Sequence, residues 1–176
     1  MMKYRLVATC LAIIFIGACA PFSDELMHRI DEAATFNNVQ ASPEVYENKT
    51  VLWGGVIIET ANRENETAIK IMKTNLDFEK QPTDTDNSEG RFIAVYPGFL
   101  DPAIYEKGRE LTVIGTITGV ETHPLGDIQY RYPIVTAQEI RLWEKQGAYR
   151  PVYDPFWPPA PFWWHRYPYW PYHRYW

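Results

Sequence analysis

Apolar and polar residues alternate along much of the chain between residues 50 and 142, which is the pattern of strands with one buried face. Gly54 and Gly55 indicate a bulge or a sharp bend in the first of these strands, and residues 62–65 suit a hairpin turn after it. The polar residues 81–90 indicate an exposed loop. The predicted strands of this first half are 51–59, 67–72 and 91–96.

A short helix is predicted next, because Asp101 can serve as its N-cap, Pro102 occupies the first helical position and Gly108 follows the last one. Two further strands follow, and the second of them has the clearest alternation in the chain. Within it, Pro133 demands an edge position or a bulge, because proline cannot donate a hydrogen bond to a neighbouring strand. A break is expected near Thr136, where the alternation becomes less regular.

The pattern is weaker before the strands. Ser23 can cap a short helix that carries Asp24 and Glu25 in its first turn. Residues 37–43 are predicted to be turn-like, and residues 43–46 to form one further helical turn.

Three strands, a short helix and two more strands form the element order of an OB-type barrel. The sequence therefore predicts an all-β protein with a small α content, built as a small OB-like β-barrel of five to six strands with a short helix between strands 3 and 4. An open sandwich could share this order. The expected divisions are a signal peptide at 1–18, a linker with a short helix at 19–48, the β domain at 49–146 and a Pro/aromatic-rich tail at 147–176.

The N-terminus has the pattern of a bacterial lipoprotein signal, with a short basic segment and then an apolar stretch. An aliphatic residue, two small residues and a cysteine follow, as Ile16-Gly17-Ala18-Cys19, which is the lipobox pattern of bacterial lipoproteins. We expect cleavage after Ala18 and a diacylglycerol and an N-acyl chain on Cys19, because two or three acyl chains anchor a protein stably where one is marginal. The alternative is an ordinary signal peptide that a cysteine follows by chance.

Cysteine usage favours the lipoprotein interpretation. The only two cysteines are Cys10 and Cys19, and Cys10 lies in the segment that cleavage would remove. A single free thiol would be a liability in an oxidising periplasm, and acylation of Cys19 removes it. Ala20 stands where an aspartate would favour retention in the inner membrane. We therefore predict a lipid-anchored protein on the periplasmic face of a Gram-negative outer membrane.

Charge and hydropathy argue against two other classes of protein, namely nucleic-acid-binding proteins and proteins that span the membrane with a helix. The chain has 17 basic and 22 acidic residues, and its net charge of −5 becomes −7 when the two basic residues of the signal are removed. An acidic protein is a poor partner for nucleic acid, whose phosphates are bound by lysine and arginine. No apolar run reaches the roughly 18 residues that a membrane-spanning helix needs.

The sequence contains no pattern that indicates an enzyme, a bound metal or a soluble cofactor. His123 and Asp127 could be drawn as an acid–base pair, but a solvated turn explains them better. Asp84, Asp86 and Glu89 lack the remaining positions of a calcium loop. No serine lies in a nucleophile-elbow pattern. The predicted site therefore includes no catalytic residue and no metal ligand.

An ordered set of short motifs resembles the Slp family of outer-membrane lipoproteins, also known as the starvation-inducible lipoprotein family. Any one motif is weak, but the set is specific in its order and spacing. The motifs are VLWGGVI at 51–57, GRF at 90–92, GFLDP at 98–102, Tyr105, Gly108-Arg109, TVIG at 112–115, GD at 126–127, YRYP at 130–133 and LW at 142–143.

The resemblance covers residues 19–143 together with the lipobox. It implies an outer-membrane lipoprotein that faces the periplasm, with no established catalytic activity and no catalytic residue to transfer. It therefore predicts location better than mechanism.

The last 26 residues differ from the rest, because residues 151–176 contain 12 aromatic residues and 7 prolines. Proline at this density forbids a continuous helix and favours extended polyproline II. Four interpretations stay open for this tail: packing on its own barrel, an interfacial membrane anchor, a strip that stacks on peptidoglycan or lipopolysaccharide sugars, and a contact with another envelope protein.

The sequence therefore leaves two functions open. The first is a structural or interaction module of the cell envelope. The second is an OB-type module that binds carbohydrate or another ligand. The candidate ligand or membrane contacts are Trp53, Tyr130 and Tyr132 in the β domain and Trp163, Trp164, Trp170 and Trp176 in the tail.

Overall fold

The structure, a computed structural model, describes residues 22–145. The chain divides into two units, Met1–Lys145 and Gln146–Trp176, and every described residue belongs to the first unit. The predicted signal peptide, Cys19 and the aromatic tail lie outside the described residues.

Two short helices and one turn of 3-10 helix come before six strands in the described part of the chain. The helices are α1 (Asp24–Met27) and α2 (Phe36–Ala41), and the 3-10 turn is Pro43–Val45. The strands are β1 (Thr50–Asn62), β2 (Thr67–Leu76), β3 (Pro82–Thr83), β4 (Gly90–Tyr96), β5 (Glu110–Leu125) and β6 (Ile128–Leu142).

Five long strands pair in a closed ring. β1 pairs antiparallel with both β2 and β5, β2 pairs antiparallel with β4, and β5 pairs antiparallel with β6. A short parallel pairing of β4 with β6, from Ile93–Ile134 to Val95–Thr136, completes the ring in the order β1-β2-β4-β6-β5. The two-residue β3 adds to β2. The all-β class is confirmed, and the number of strands agrees with the five to six expected from the sequence.

The main core is built from side chains of all five long strands. Its large, fully buried members come from every one of these strands and from α2, and they are Phe36, Val39, Val51, Ile57, Ile69, Ile71, Phe92, Leu111, Val113, Ile117 and Val135. A second, smaller cluster contains Ala68, Ile93, Tyr132 and Ile134.

Proline in β6 lies where the sequence predicted. Pro133 pairs with Val120 of β5, one residue before the parallel pairing with β4 begins at Ile134. Its position therefore has a strand on one side only, and no neighbour on the other side requires its missing N–H. The expected irregularity near Thr136 is a register shift, which leaves Gln138 without a directly opposed residue.

Glycines permit two close approaches between strands. A Cβ on Gly55 would overlap the carbonyl oxygen of Met72 in β2. A Cβ on Gly115 would likewise overlap the carbonyl oxygen of Thr136 in β6. The register shift of β1 lies beyond the glycine pair, between Ile57 and Glu59, so the two glycines serve close packing rather than the bulge itself.

The helix predicted at 101–108 is wrong, because these residues form turns. Asp101 does begin one turn, since its carbonyl oxygen accepts from the N–H groups of Ile104 and Tyr105, both at 2.9 Å. The turn does not continue as a helix, because the N–H of Gly108 donates to the Ile57 carbonyl of β1 at 2.9 Å. A single turn is too short for helix propagation to outweigh such a tertiary contact.

The turn-like character predicted for residues 37–43 is also wrong, because most of them form α2. Thr35 caps this helix, and its hydroxyl accepts from the N–H of Asn38 at 3.3 Å. The helix buries Phe36 and Val39 in the main core. Its asparagine-rich sequence has a low intrinsic helix propensity, so packing of these two side chains stabilises the helix.

The course of β5 defines two ends of the ring. At the loop end, β5 begins at Glu110 after residues 97–109, which connect it to β4. At the helix end, Ile117 exchanges backbone hydrogen bonds with Asn48 and Lys49, which follow the 3-10 turn. Seven residues of strand separate these two levels, or about 23 Å.

Candidate functional site

Trp53, a candidate ligand contact, is almost wholly packed into the core and is only 4% exposed. Its ring makes edge contacts with Phe36 and Phe92, at centroid distances of 5.3 and 5.4 Å. These contacts join α2, β1 and β4 at one point. The small exposed part of Trp53 lies in the wall of a cleft.

Tyr130 is half-buried, and its hydroxyl joins three elements. It accepts from the Arg91 N–H of β4 at 2.9 Å and from the side-chain amide of Gln40 in α2 at 2.7 Å. Gly90 leaves room for this hydroxyl, because a Cβ there would lie 2.6 Å from it. The hydrogen-bonding capacity of Tyr130 is thus used inside the fold.

Tyr132 is buried in the second cluster. Its ring lies 4.8 Å from that of Tyr130 and 5.7 Å from the ring of His123. The structure therefore brings Tyr130 and Tyr132 together but uses both for packing. The four candidate tryptophans of the tail, Trp163, Trp164, Trp170 and Trp176, lie outside the described residues.

A cleft of about 310 Å³ lies at the helix end of the ring. The segment before α2 forms one wall and the start of β1 forms another. The residues that matter for its chemistry are Asp31, Glu32, Phe36, Trp53, Lys73 and Glu89.

Three of the charged side chains of the cleft, Asp31, Lys73 and Glu89, are held in ion pairs. Lys73 is only 12% exposed, and its Nζ lies 2.6 Å from Glu89 Oε1 and 6.0 Å from the centre of the Phe36 ring. Lys49 Nζ lies 3.1 Å from Asp31 Oδ2. The hydrogen bond from Lys49, helped by one from the Ala33 N–H, lowers the pKa of the Asp31 carboxyl. The cleft therefore offers paired charges beside aromatic edges, an arrangement suited to a small polar molecule.

Glu121, His123 and Arg63 form a charged group that the sequence did not reveal. It joins the β1–β2 hairpin to the β5–β6 hairpin. The Glu121 carboxylate lies 2.8 Å from His123 Nε2 and 3.5 Å from a guanidinium nitrogen of Arg63. The hydrogen bond with His123, and secondarily the charge of Arg63, lower the pKa of Glu121 against the effect of burial. The i, i+2 spacing of Glu121 and His123 on one strand face was the available signal.

These groups do not form a recognisable catalytic arrangement. The Thr35 hydroxyl that borders the cleft caps α2. Between residues 22 and 145, no cluster of three or more histidine, cysteine, aspartate or glutamate side chains is placed to bind a metal ion. Over the same residues, no helix is long and apolar enough to span a bilayer.

The fold and site together define a small all-β domain with no recognisable catalytic centre among its described residues. A family model described as "Outer membrane lipoprotein Slp family" matches residues 16–176. The chain belongs to this family, and its location is the outer membrane. The match begins at Ile16 and so includes the whole lipobox.

Three relatives extend the comparison. The "Outer membrane protein Slp" of Escherichia coli is 27% identical over 86% of this chain and 85% of its own length. The "Uncharacterized lipoprotein YeaY" of the same organism is 30% identical over 60% of this chain and 54% of its own. An "Uncharacterized protein" of Haemophilus influenzae is 33% identical over 57% of this chain and 55% of its own. The match thus spans about half the length of the last two proteins, and none of the three names assigns an enzymatic activity.

Proposed function

We propose that the protein is anchored in the outer membrane by acyl chains on Cys19 and presents its β domain to the periplasm as a structural or interaction module of the envelope. The observation that carries this proposal is the family match over residues 16–176, which includes both the lipobox and the whole β domain. Phe22, three residues after Cys19 in the sequence, is already buried at 5% exposure, so few residues separate the proposed anchor from the domain.

The burial of the aromatic side chains supports a structural role over a catalytic one. Trp53, Tyr130 and Tyr132 stabilise contacts between elements, and each is fully or mostly withdrawn from solvent. Lys73, Glu89 and Asp31 of the cleft are held in ion pairs rather than left to act on a substrate. The proposed role is therefore to hold a rigid domain at the membrane, where its surface contacts another envelope component.

Lipidation is tested by replacing the acyl acceptor. In cells fed labelled palmitate, the wild-type protein is expected to incorporate label and fractionate with the outer membrane. The Cys19→Ser variant is expected to lose the label and remain unprocessed or leave the membrane. Cys10→Ser is the matched control, because Cys10 lies within the segment removed with the signal. Labelling of Cys19→Ser at the wild-type level would refute the anchor.

The second function is binding of a carbohydrate or other small ligand, such as a peptidoglycan or lipopolysaccharide sugar. The cleft favours it, because aromatic edges and an ion pair border a space of about 310 Å³. Polar groups that orient a ligand against an apolar wall are typical of small-molecule sites.

Co-sedimentation of the full mature protein with purified peptidoglycan tests this second function. If the cleft binds the glycan, Lys73→Met abolishes sedimentation. Lys70→Met is the matched control, because Lys70 is on the same strand and pairs with Glu59 away from the cleft. Equal sedimentation of the two variants, or none for the wild-type protein, would exclude this cleft as the glycan site.

A further inference from the structure

Carboxylates outnumber ammonium groups in the cleft at the helix end. Its lining includes three acidic residues, Asp31, Glu32 and Glu89, and one basic residue, Lys73. Lys73 neutralises Glu89, and Lys49, which lies outside the lining, neutralises Asp31. Glu32 is exposed and has no ion-pair partner in the described part of the chain. The cleft therefore keeps a net negative charge, and the Glu32 carboxylate holds it.

The segment that forms one wall of the cleft adds to this negative charge. Residues 24–49 contain six acidic and two basic residues, so their net charge is −4 with histidine neutral. The two basic residues are themselves paired, Arg29 with Glu25 and Lys49 with Asp31. A cleft bordered by charge of one sign concentrates ligands of the opposite sign, because its low-dielectric walls focus the field. The wall of the cleft therefore favours a cationic ligand over a neutral or an anionic one.

The cleft already stabilises one ammonium group that belongs to the chain itself. Lys73 Nζ lies 2.6 Å from Glu89 Oε1 and 6.0 Å from the centre of the Phe36 ring. A carboxylate together with an aromatic ring is an arrangement that stabilises cations. Because Glu89 neutralises Lys73, this lysine does not cancel the charge of Glu32. A second ammonium group can therefore enter the cleft without meeting an uncompensated positive charge.

We propose that the cleft binds a glycan through a free, protonated amino group, which pairs with the Glu32 carboxylate. This inference rests on the second proposed function, in which the cleft binds a sugar, and it names the chemical class of that sugar. A volume of about 310 Å³ is at the lower end of the range for ligand pockets, so the cleft fits a single amino sugar or the end of a longer chain. N-acetylation removes the positive charge of the amino group, so the acetylated form of the same sugar lacks this ion pair.

Two trisaccharides that differ only in N-acetylation test the proposal. The glucosamine trimer is cationic at mildly acidic pH, whereas the N-acetylglucosamine trimer is neutral. Each is titrated into the full mature lipoprotein in detergent, and binding is measured by isothermal titration calorimetry. Glu32→Gln removes the proposed partner of the amino group. Glu47→Gln is the matched control, because Glu47 is an exposed glutamate of the same segment that does not line the cleft.

The expected result is that the glucosamine trimer binds several-fold more tightly than the acetylated trimer. This preference is expected to be lost in Glu32→Gln and kept in Glu47→Gln. An unchanged preference in Glu32→Gln would overturn the inference, because the amino group would then bind elsewhere on the protein. Equal affinity of the wild-type protein for the two trimers would also overturn it.

The same measurements separate this inference from the function on which it rests. If the protein sediments with peptidoglycan in a Lys73-dependent manner but does not prefer the glucosamine trimer, the cleft binds glycan and only the amino-sugar class is wrong. If neither trimer binds and the wild-type protein does not sediment with peptidoglycan, the second function fails and this inference fails with it.

Discussion

The indole N–H of Trp143 donates a buried hydrogen bond of 2.9 Å to the hydroxyl of Thr112. The same hydroxyl donates to the carbonyl of Lys80 at 2.7 Å, so it joins the end of β6, the start of β5 and the loop after β2. The backbone of Trp143 is held as well, because its carbonyl accepts from the Arg109 guanidinium at 2.6 Å. These contacts hold Trp143 in place near the end of the described residues.

Replacement of Thr112 by valine tests this junction. Thr112→Val conserves the shape of the side chain but leaves the buried Trp143 N–H and the Lys80 carbonyl without partners. We expect a loss of about 1–3 kcal/mol in the free energy of unfolding, measured by urea denaturation. Thr118→Val is the control, because the Thr118 hydroxyl meets Thr136 on the exposed surface. Similar losses in both variants would contradict the role of the buried junction.

The close approach of β1 and β2 at Gly55 predicts a strong steric effect. Gly55→Ala places a Cβ against the Met72 carbonyl oxygen, and backbone atoms cannot move aside as a flexible side chain can. We expect a loss of about 3 kcal/mol or more, because overpacking of this kind costs about 1–3 kcal/mol even among side chains. Gly119→Ala separates this effect from backbone strain, since its φ is +150° but no atom lies within 4 Å of the added Cβ. A loss for Gly55→Ala no larger than that for Gly119→Ala would contradict the role of the close approach at Gly55.

The Tyr130 hydroxyl predicts coupling between α2 and the strands. Tyr130→Phe is expected to lower the free energy of unfolding by about 1 kcal/mol, because the Arg91 N–H and the Gln40 amide lose their acceptor. A double-mutant cycle with Gln40→Ala measures the part of this effect that belongs to the helix. We expect a coupling energy of at least about 0.5 kcal/mol, and additive losses would mean that Gln40 does not depend on this hydroxyl.

The ion-paired Glu121 predicts a pH dependence of stability. Its pKa in the folded state is lower than in the unfolded state, because His123 and Arg63 favour the carboxylate. Such a group stabilises the fold above its unfolded pKa, near 4.5, and this contribution is lost as the pH falls through the lower, folded value. The Glu121→Gln variant is therefore expected to lose less stability than the wild-type protein when urea midpoints are followed from about pH 7 to about pH 3.

Removal of a different carboxylate, in the turn of the β1–β2 hairpin, provides the control for these pH measurements. Glu64→Gln removes a negative charge from the exposed turn between β1 and β2 without touching the Glu121 group. If Glu64→Gln flattens the pH profile as much as Glu121→Gln does, the effect comes from net charge and not from the contacts with His123 and Arg63.

Local signals explain why much of the fold could be predicted. The alternation of side chains placed the long strands, since strand periodicity is a property of neighbouring residues. The turn at residues 62–65 lies between β1 and β2 as expected, and the edge position of Pro133 follows from its missing N–H. The lipobox is likewise a contiguous motif, so the amino-acid sequence alone indicates the outer membrane.

Other features depend on contacts between distant residues, and the local signals for them were misleading or absent. Asp101, Pro102 and Gly108 form a good set of helix signals, yet the N–H of Gly108 donates to the Ile57 carbonyl of β1 instead of to a helical carbonyl. α2 has a weak local signal but forms because Phe36 packs against Trp53. The burial of Trp53 could not be inferred from its sequence neighbours.

The sequence by itself determined the family and the positions of the long strands, because both are encoded in short motifs and in the alternation of neighbouring residues. Only the tertiary structure decided how the ring closes and which aromatic rings are buried. The parallel pairing of β4 with β6 joins residues about forty positions apart, from Ile93 with Ile134 to Val95 with Thr136. Such pairings depend on the closure of long chain segments and on packing in three dimensions, and no local pattern specifies either of them.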